Sequence, residues 1–201
     1  MCDQAHWEAR YVEGDLPWDT GRPDRNLIEA IAAHNVSPCR ALEIGCGSGT
    51  NSLWMADAGF DVTAFDISSV AIEHGREKAA AVERSVTFLV GDALTADIDG
   101  AAYDFAFDRG CFHSIESDKA RRRFAERVAA HLSPHGLWLS LIGSRDGAPR
   151  ESGPPRMSAL EIAQAIEPCF EIVELTATHL DSNSEPAPEA WRCLMRKRRD
   201  W

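Results

Sequence analysis

ALEIGCGSGTNS, residues 41–52, decides the fold: an apolar run flows into glycines at 45, 47 and 49 and then into a segment of helical character. Glycine lets a backbone turn tightly and approach a ligand closely, and a strand that ends in such a turn and feeds a helix opens a doubly wound α/β sheet. The spacing is GxGxG, not the GxGxxG of dinucleotide folds. The third glycine arrives one residue early, and no phosphate needs a cradle if the ligand is a nucleoside carrying an amino acid.

Outward from that run, strand patterns fall at 39–45, 61–66, 86–90, 103–107 and 137–142, with helical patterns between them at 51–58, 69–82 and 117–132. In the last of these Phe124, Val128 and Leu132 recur every four residues, and Gly59 and Pro134-His135-Gly136 are stop signals. Strands alternating with helices imply parallel pairing, right-handed crossovers and helices on both faces. Upstream, 27–33 reads as a short amphipathic helix, preceded at 11–23 by aromatic and turn residues with no obvious core role. Downstream, the loop 145–157 holds Gly147, Pro149, Gly153, Pro154 and Pro155, and loops that long are usually functional or disordered. A helix then opens on a capping box, Ser158 to Glu161, with Met157 placed to pack on Ile162. Segments 170–177 and 191–195 read as two closing strands whose polar connection permits an antiparallel pair.

The expected fold is α/β, a doubly wound, Rossmann-like, seven-stranded and mostly parallel sheet with an antiparallel last strand and helices on both faces. It is expected as one domain over 1–201: a cap at 1–37, a cofactor-binding core at 38–144, and a substrate loop with closing hairpin at 145–201.

A net charge of −11 disfavours nucleic acid, whose binding rests on Lys and Arg neutralising phosphates. The basic runs 121–123 and 196–199 read as solvated faces. No apolar run reaches 18 residues, so no membrane span is expected. Cysteines at 2, 39, 46, 111, 169 and 193 form no CxxC pair and read as the reduced thiols of a cytoplasm, with no metal site.

Three acids stand where the strands end. Glu43 lies inside an apolar strand, where a carboxylate needs a donor, a cation or water; it either bonds nearby backbone amides, or it orients the glycine loop or bonds a ligand ammonium. Asp66 stands 17 residues after Gly49, where an acid bonds both hydroxyls of a ribose, or it is a solvated strand end. Asp92 is placed to accept from an adenine amino group, with Ile67 and Ala93 flanking the base. Ligands of such sheets bind at the carboxyl ends of the strands.

ALEIGCGSGT, AFDIS and GDAL resemble the first three motifs of class I S-adenosylmethionine-dependent methyltransferases, over roughly residues 39–142. The resemblance implies S-adenosylmethionine as cofactor and a seven-stranded sheet with a reversed final hairpin. It puts Gly45 and Gly47, with Cys46 between them, near the methionine portion, Asp66 on the ribose, and Asp92 and Ala93 at the adenine. FDRGCFHSI at 107–115, Gly153-Pro154-Pro155 and the helix opening SALEI resemble the thiopurine and thiol methyltransferase branch. Trp18, in PWDTGRPD, is similar to that branch's cofactor-covering tryptophan. Cys111, Phe112 and His113 differ from thiopurine enzymes.

The expected acceptor is a small molecule, a thiol or other soft nucleophile, methylated by in-line displacement in a monomer or homodimer. Asp108 joins the cofactor-site candidates; Arg109, Phe112, His113 and Pro154 are the acceptor-side candidates. Arg109 either stabilises an acceptor thiolate, pairs with Asp108 or covers the cofactor. His113 is either a general base toward a hydroxyl or amine, or a packed histidine bonded to backbone. Cys46 and Cys111 also leave open a metalloid or tellurium oxyanion acceptor, against the reading of buried apolar thiols. Segments 11–23 and 145–157 are candidate lids, with Trp18 and Pro154 as contacts or Trp18 merely packed on the sheet end. A nicotinamide-dependent oxidoreductase and a non-catalytic cofactor-binding module are the competing functions.

Overall fold

The protein was studied as a computed structural model, which describes residues 4–98, 102–146, 155–199 and 201. Seven strands form one sheet: β1 Arg40–Ile44, β2 Asp61–Asp66, β3 Thr87–Val90, β4 Tyr103–Arg109, β5 Leu132–Gly143, β6 Phe170–His179 and β7 Glu189–Lys197. Among the described residues six α-helices accompany them: α1 Gln4–Glu13, α2 Arg25–Ala33, α3 Thr50–Asp57, α4 Ser69–Ala81, α5 Asp118–His131 and α6 Ala159–Ile166, with a 3-10 turn at Phe112–Ser114. The strand order is β3-β2-β1-β4-β5-β7-β6, with β7 antiparallel to both neighbours and the other pairs parallel. The expected doubly wound sheet is therefore present, its reversed strand between β5 and β6.

Two apolar clusters cover the faces of the sheet. One gathers Phe112, Phe124, Trp138, Ile162 and Phe170, and the other gathers Leu27, Met55, Phe88, Phe105 and Leu139. Phe105 and Trp138 belong to neighbouring paired strands yet to opposite clusters, because successive side chains on a strand alternate faces. The capping box at Ser158 and Glu161 forms as read, and Met157 and Ile162 are both fully buried in one cluster.

Two features depart from the sequence reading. Residues 4–13 are helical, with Trp7 and Tyr11 one turn apart and Gly14 (φ +74°) ending the helix. Strand β5 begins at Leu132 rather than 137: His135 adopts φ +66°, the ladder shifts between Tyr103 and Phe105, and Pro134 to Gly136 form an irregularity inside the strand. Among the described residues no helix is long and apolar enough to cross a membrane.

Candidate functional site

The chain leaves β1 through two left-handed glycines, Gly45 (φ +66°) and Gly47 (φ +55°). The amides of Gly45 and Cys46 both donate to the carbonyl of Phe65, at 2.8 and 3.0 Å, so the loop folds across the end of β2. A Cβ on Gly45 would lie 2.8 Å from Cys111 Cβ and 3.0 Å from its Sγ. The segment after β4 is thus pressed against the first glycine.

Asp66 closes β2 with its side chain turned into this loop. Its Oδ2 accepts from Gly47 N and its Oδ1 from Ser68 N, both at 2.9 Å. Burial raises its carboxyl pKa, against the lowering effect of those amides. The amide of Ile67 adds a third interaction with the same carboxyl; as an acceptor at the mouth of the glycine loop, Asp66 has the chemistry to take the hydroxyls of a ribose. Glu43, 1 % exposed, takes side-chain partners on α3: the hydroxyl of Ser52, and Asn51 Nδ2 at 3.3 Å. Burial pushes its carboxyl to about 7, opposed by the hydrogen bonds from Ser52 and Asn51. It orients the helix that follows the loop. Asp92 Oδ1 accepts from Leu94 N at 2.8 Å and shapes the turn after β3; Ile67, next to Asp66, and Ala93, next to Asp92, are half-buried.

At the end of β4 the acceptor-side candidates separate. Asp108 is fully buried, accepting from Trp138 Nε1 at 3.0 Å and Phe112 N at 2.9 Å, and burial raises it to about 6. Both oxygens are committed inside the core, so it braces the turn. Phe112 is fully buried too, tilted against Phe124 and edge-on to Trp138 with centroids 5.5 and 5.3 Å away, and is a core residue rather than a pocket wall. Arg109 pairs with Asp24, not Asp108, at 2.6 Å. His113 is 4 % exposed, and its Nδ1 accepts from Gly143 N at 2.7 Å. Pro154 lies outside the described residues.

The N-terminal segment covers the loop more fully than its sequence suggested. Tyr11 is buried with its hydroxyl directly over Gly47, where any β-carbon would collide with it. Burial and the Asp66 carboxylate raise that hydroxyl's pKa far above its usual range. Trp18 Nε1 donates to the Tyr11 hydroxyl at 3.3 Å; Trp7 meets Trp18 edge-on at 5.5 Å, and Arg10 lies 4.7 Å from the Trp18 ring centroid. Glu8 caps α4, accepting from Ser68 Oγ (2.8 Å), Ser69 Oγ (2.7 Å), Ser69 N (3.0 Å) and Val70 N (3.2 Å). Asp19 accepts from Ser48 Oγ at 2.5 Å and lies 3.3 Å from Lys78 Nζ. Tyr11, Glu8 and Asp19 were not singled out from the sequence. The available signal was ten residues without Pro or Gly, bearing aromatics four apart and ending at a glycine.

A family model described as thiopurine S-methyltransferase matches residues 2–194. A probable thiol methyltransferase 2 of Arabidopsis thaliana is 29 % identical over 178 residues, 87 % of this chain and 77 % of the relative. The fold matches a structure described for conversion of a disulfide bond into a thioacetal group during echinomycin biosynthesis, at TM-score 0.86 and 23 % identity, over 99 % of this chain and 94 % of the other. It also matches the Burkholderia thailandensis 1,6-didemethyltoxoflavin-N1-methyltransferase with bound S-adenosylhomocysteine, at TM-score 0.76 and 22 % identity, over 96 % and 86 % of the two chains.

Proposed function

The chain belongs to the thiopurine S-methyltransferase family, and from that premise we propose that its acceptor is a small thiol or a comparably soft nucleophile. It is an S-adenosylmethionine-dependent methyltransferase of small molecules. The bound cofactor supplies an electrophilic methyl carbon on a sulfonium sulfur. The backbone of Gly45, Cys46 and Gly47 takes the methionine portion, Asp66 the ribose hydroxyls, and Asp92 with Ile67 and Ala93 the adenine. Tyr11 and Trp18 exclude water from above.

One observation carries the choice of acceptor. His113 Nδ1 accepts from the amide of Gly143, so the neutral ring holds its hydrogen on Nε2, where it is a donor and not a base. A hydroxyl must give up its proton to attack, and an aliphatic amine, protonated near neutrality, must first be freed of one. A thiol with a pKa of about 8.5 already presents a few per cent thiolate near neutrality. Alignment of nucleophile, methyl carbon and leaving sulfur in a dry site then supplies the acceleration. The relative named for thiol methylation supports the same reading.

The test is formation of S-adenosylhomocysteine with a panel of thiols, selenols, phenols, amines, halides and oxyanions, with pH profiles for the parent and His113→Asn. Thiols are expected to lead. The acidic limb of kcat/KM should follow the acceptor's own ionisation and persist in the variant. A phenol or amine turned over with a limb that vanishes in His113→Asn would make His113 the base and remove the thiol reading; turnover of oxyanions alone would replace it with a metalloid acceptor.

A further inference from the structure

The geometry points to Arg109 as a positioning residue: a buried pin that fastens the N-terminal strap and the loop between β6 and β7 together over the cofactor edge of the sheet. This deepens the methyltransferase reading and depends on it where S-adenosylhomocysteine binding and turnover are measured, but not where exchange is.

Arg109 ends β4 with its side chain 11 % exposed, against an Asp24 side chain 1 % exposed. Its Nε donates to Asp24 Oδ2 at 2.6 Å, and a second guanidinium nitrogen donates to the carbonyl of Asp181. A planar fork can serve a carboxylate and a carbonyl at once, which an ammonium does not reproduce. Asp24 is also the N-cap of α2, its Oδ1 accepting from Asn26 N and Nδ2, both at 2.9 Å. Asp181 Oδ2 accepts from Arg25 N at 2.8 Å, and Asn26 Nδ2 reaches the carbonyl of His179 at 2.9 Å.

The two segments are then laced directly. Asn183 N and Ser182 Oγ donate to the carbonyl of Pro17 at 2.8 and 3.1 Å, and Asn183 Nδ2 donates to that of Asp19 at 3.1 Å. On the inner side Asp24 N donates to Asn51 Oδ1 at 2.9 Å, and Asn51 continues to Glu43 beneath the glycine loop. The strap so held carries Trp18, which bonds Tyr11 over Gly47. A guanidinium already neutralised by a buried carboxylate has little charge left for an acceptor thiolate, whereas removing it leaves that carboxylate buried with only the Asn26 donors and no cation.

The experiment compares Arg109→Gln, Arg109→Lys, Asp24→Asn and the double variant Arg109→Gln/Asp24→Asn with the parent. It reads hydrogen–deuterium exchange over peptides 11–24 and 180–185, titration with S-adenosylhomocysteine, and the kcat/KM pH profile for the best thiol at saturating S-adenosylmethionine. A pin predicts faster exchange in both peptides together and affinity for S-adenosylhomocysteine weaker by roughly tenfold in Arg109→Gln and Asp24→Asn. The double variant should be no worse than either, Arg109→Lys intermediate, and the thiol's KM and acidic limb unmoved. Parent-like exchange and affinity in Arg109→Gln, with a raised thiol KM or a limb shifted upward, would overturn the proposal and turn Arg109 toward the acceptor. If the parent itself ignores S-adenosylhomocysteine, the methyltransferase reading falls, and the exchange comparison still decides the pin. Arg109→Lys keeps the charge and so separates a lost pin from a lost fold.

Discussion

At position 43 folding places a carboxyl where water does not reach, and the group answers by holding its proton up to about pH 7 against an ordinary 4.5. Because the folded value lies above the unfolded one, the native state binds the extra proton. The stability this contributes is complete below pH 4.5 and is lost as pH rises to about 7. Glu43→Gln should remove a pH dependence worth up to about 3 kcal/mol. In urea titrations its midpoint should gain on the parent's between pH 5 and 8; parallel curves would show that the acid is ionised and compensated. Glu43 and Asp66 were legible in sequence because strand ends and a glycine run fix their place locally. The partner of Arg109 was not. Asp24 is 85 residues distant in sequence, and the adjacent Asp108 could not serve, since neighbours on a strand point to opposite faces. Asp108 accordingly faces Trp138 in the core.

The unexpected helix α1 shows why short terminal elements escape periodicity. It buries only Tyr11, too little for a clear apolar stripe, and polar contacts add to the packing of Tyr11 and Trp7: Glu8 on the first turn of α4, with Asp19 following on Ser48. Acids at a helix N-terminus gain from the exposed amides there, but no spacing rule links residue 8 to residue 69. Deleting residues 1–23 is expected to weaken S-adenosylhomocysteine binding at least tenfold, about 1.4 kcal/mol, by calorimetric titration. Undiminished affinity would reduce α1 and the strap to decoration of the sheet end. Strand β5 was misjudged in length for the opposite reason. Its Pro and Gly are strong stop signals, and Leu132 joins the ladder ahead of them by pairing with Tyr103 across a shifted register, with Lys197 Nζ on its carbonyl and Ser133 on Asp104.

Across the molecule three buried acids titrate in opposition to two that are held by hydrogen bonds nearer the surface. Glu43 and Asp108 are raised to about 7 and 6 and Asp66 is raised as well, whereas hydrogen bonds that outweigh burial hold Glu8 and Glu174 near 2. The first group favours folding as pH falls from 8 toward about 5, and the second withdraws support only below 4.5. Self-repulsion from the net charge of −11 relaxes in the same direction as the pI of about 5.0 approaches. The thermal midpoint should therefore climb from pH 8 to about 5 and drop below it, measured by scanning calorimetry; a midpoint highest at pH 8 would contradict the burial of those acids. At this scale the sheet was the most legible feature, since alternating strand and helix patterns leave few ways to wind. The lacing of Pro17 and Asp19 to residues 182 and 183 was invisible, because it joins side chains and carbonyls more than 160 positions apart. That separation has a consequence for biogenesis. A nascent chain leaving the ribosome has its glycine turn and the Asp66 carboxylate once residue 66 emerges, and Glu8 and Asp19 can then engage Ser68, Ser69 and Ser48, yet the ties from Pro17 and Asp19 wait until residue 183 has followed, so the strap is locked long after the turn it covers has formed.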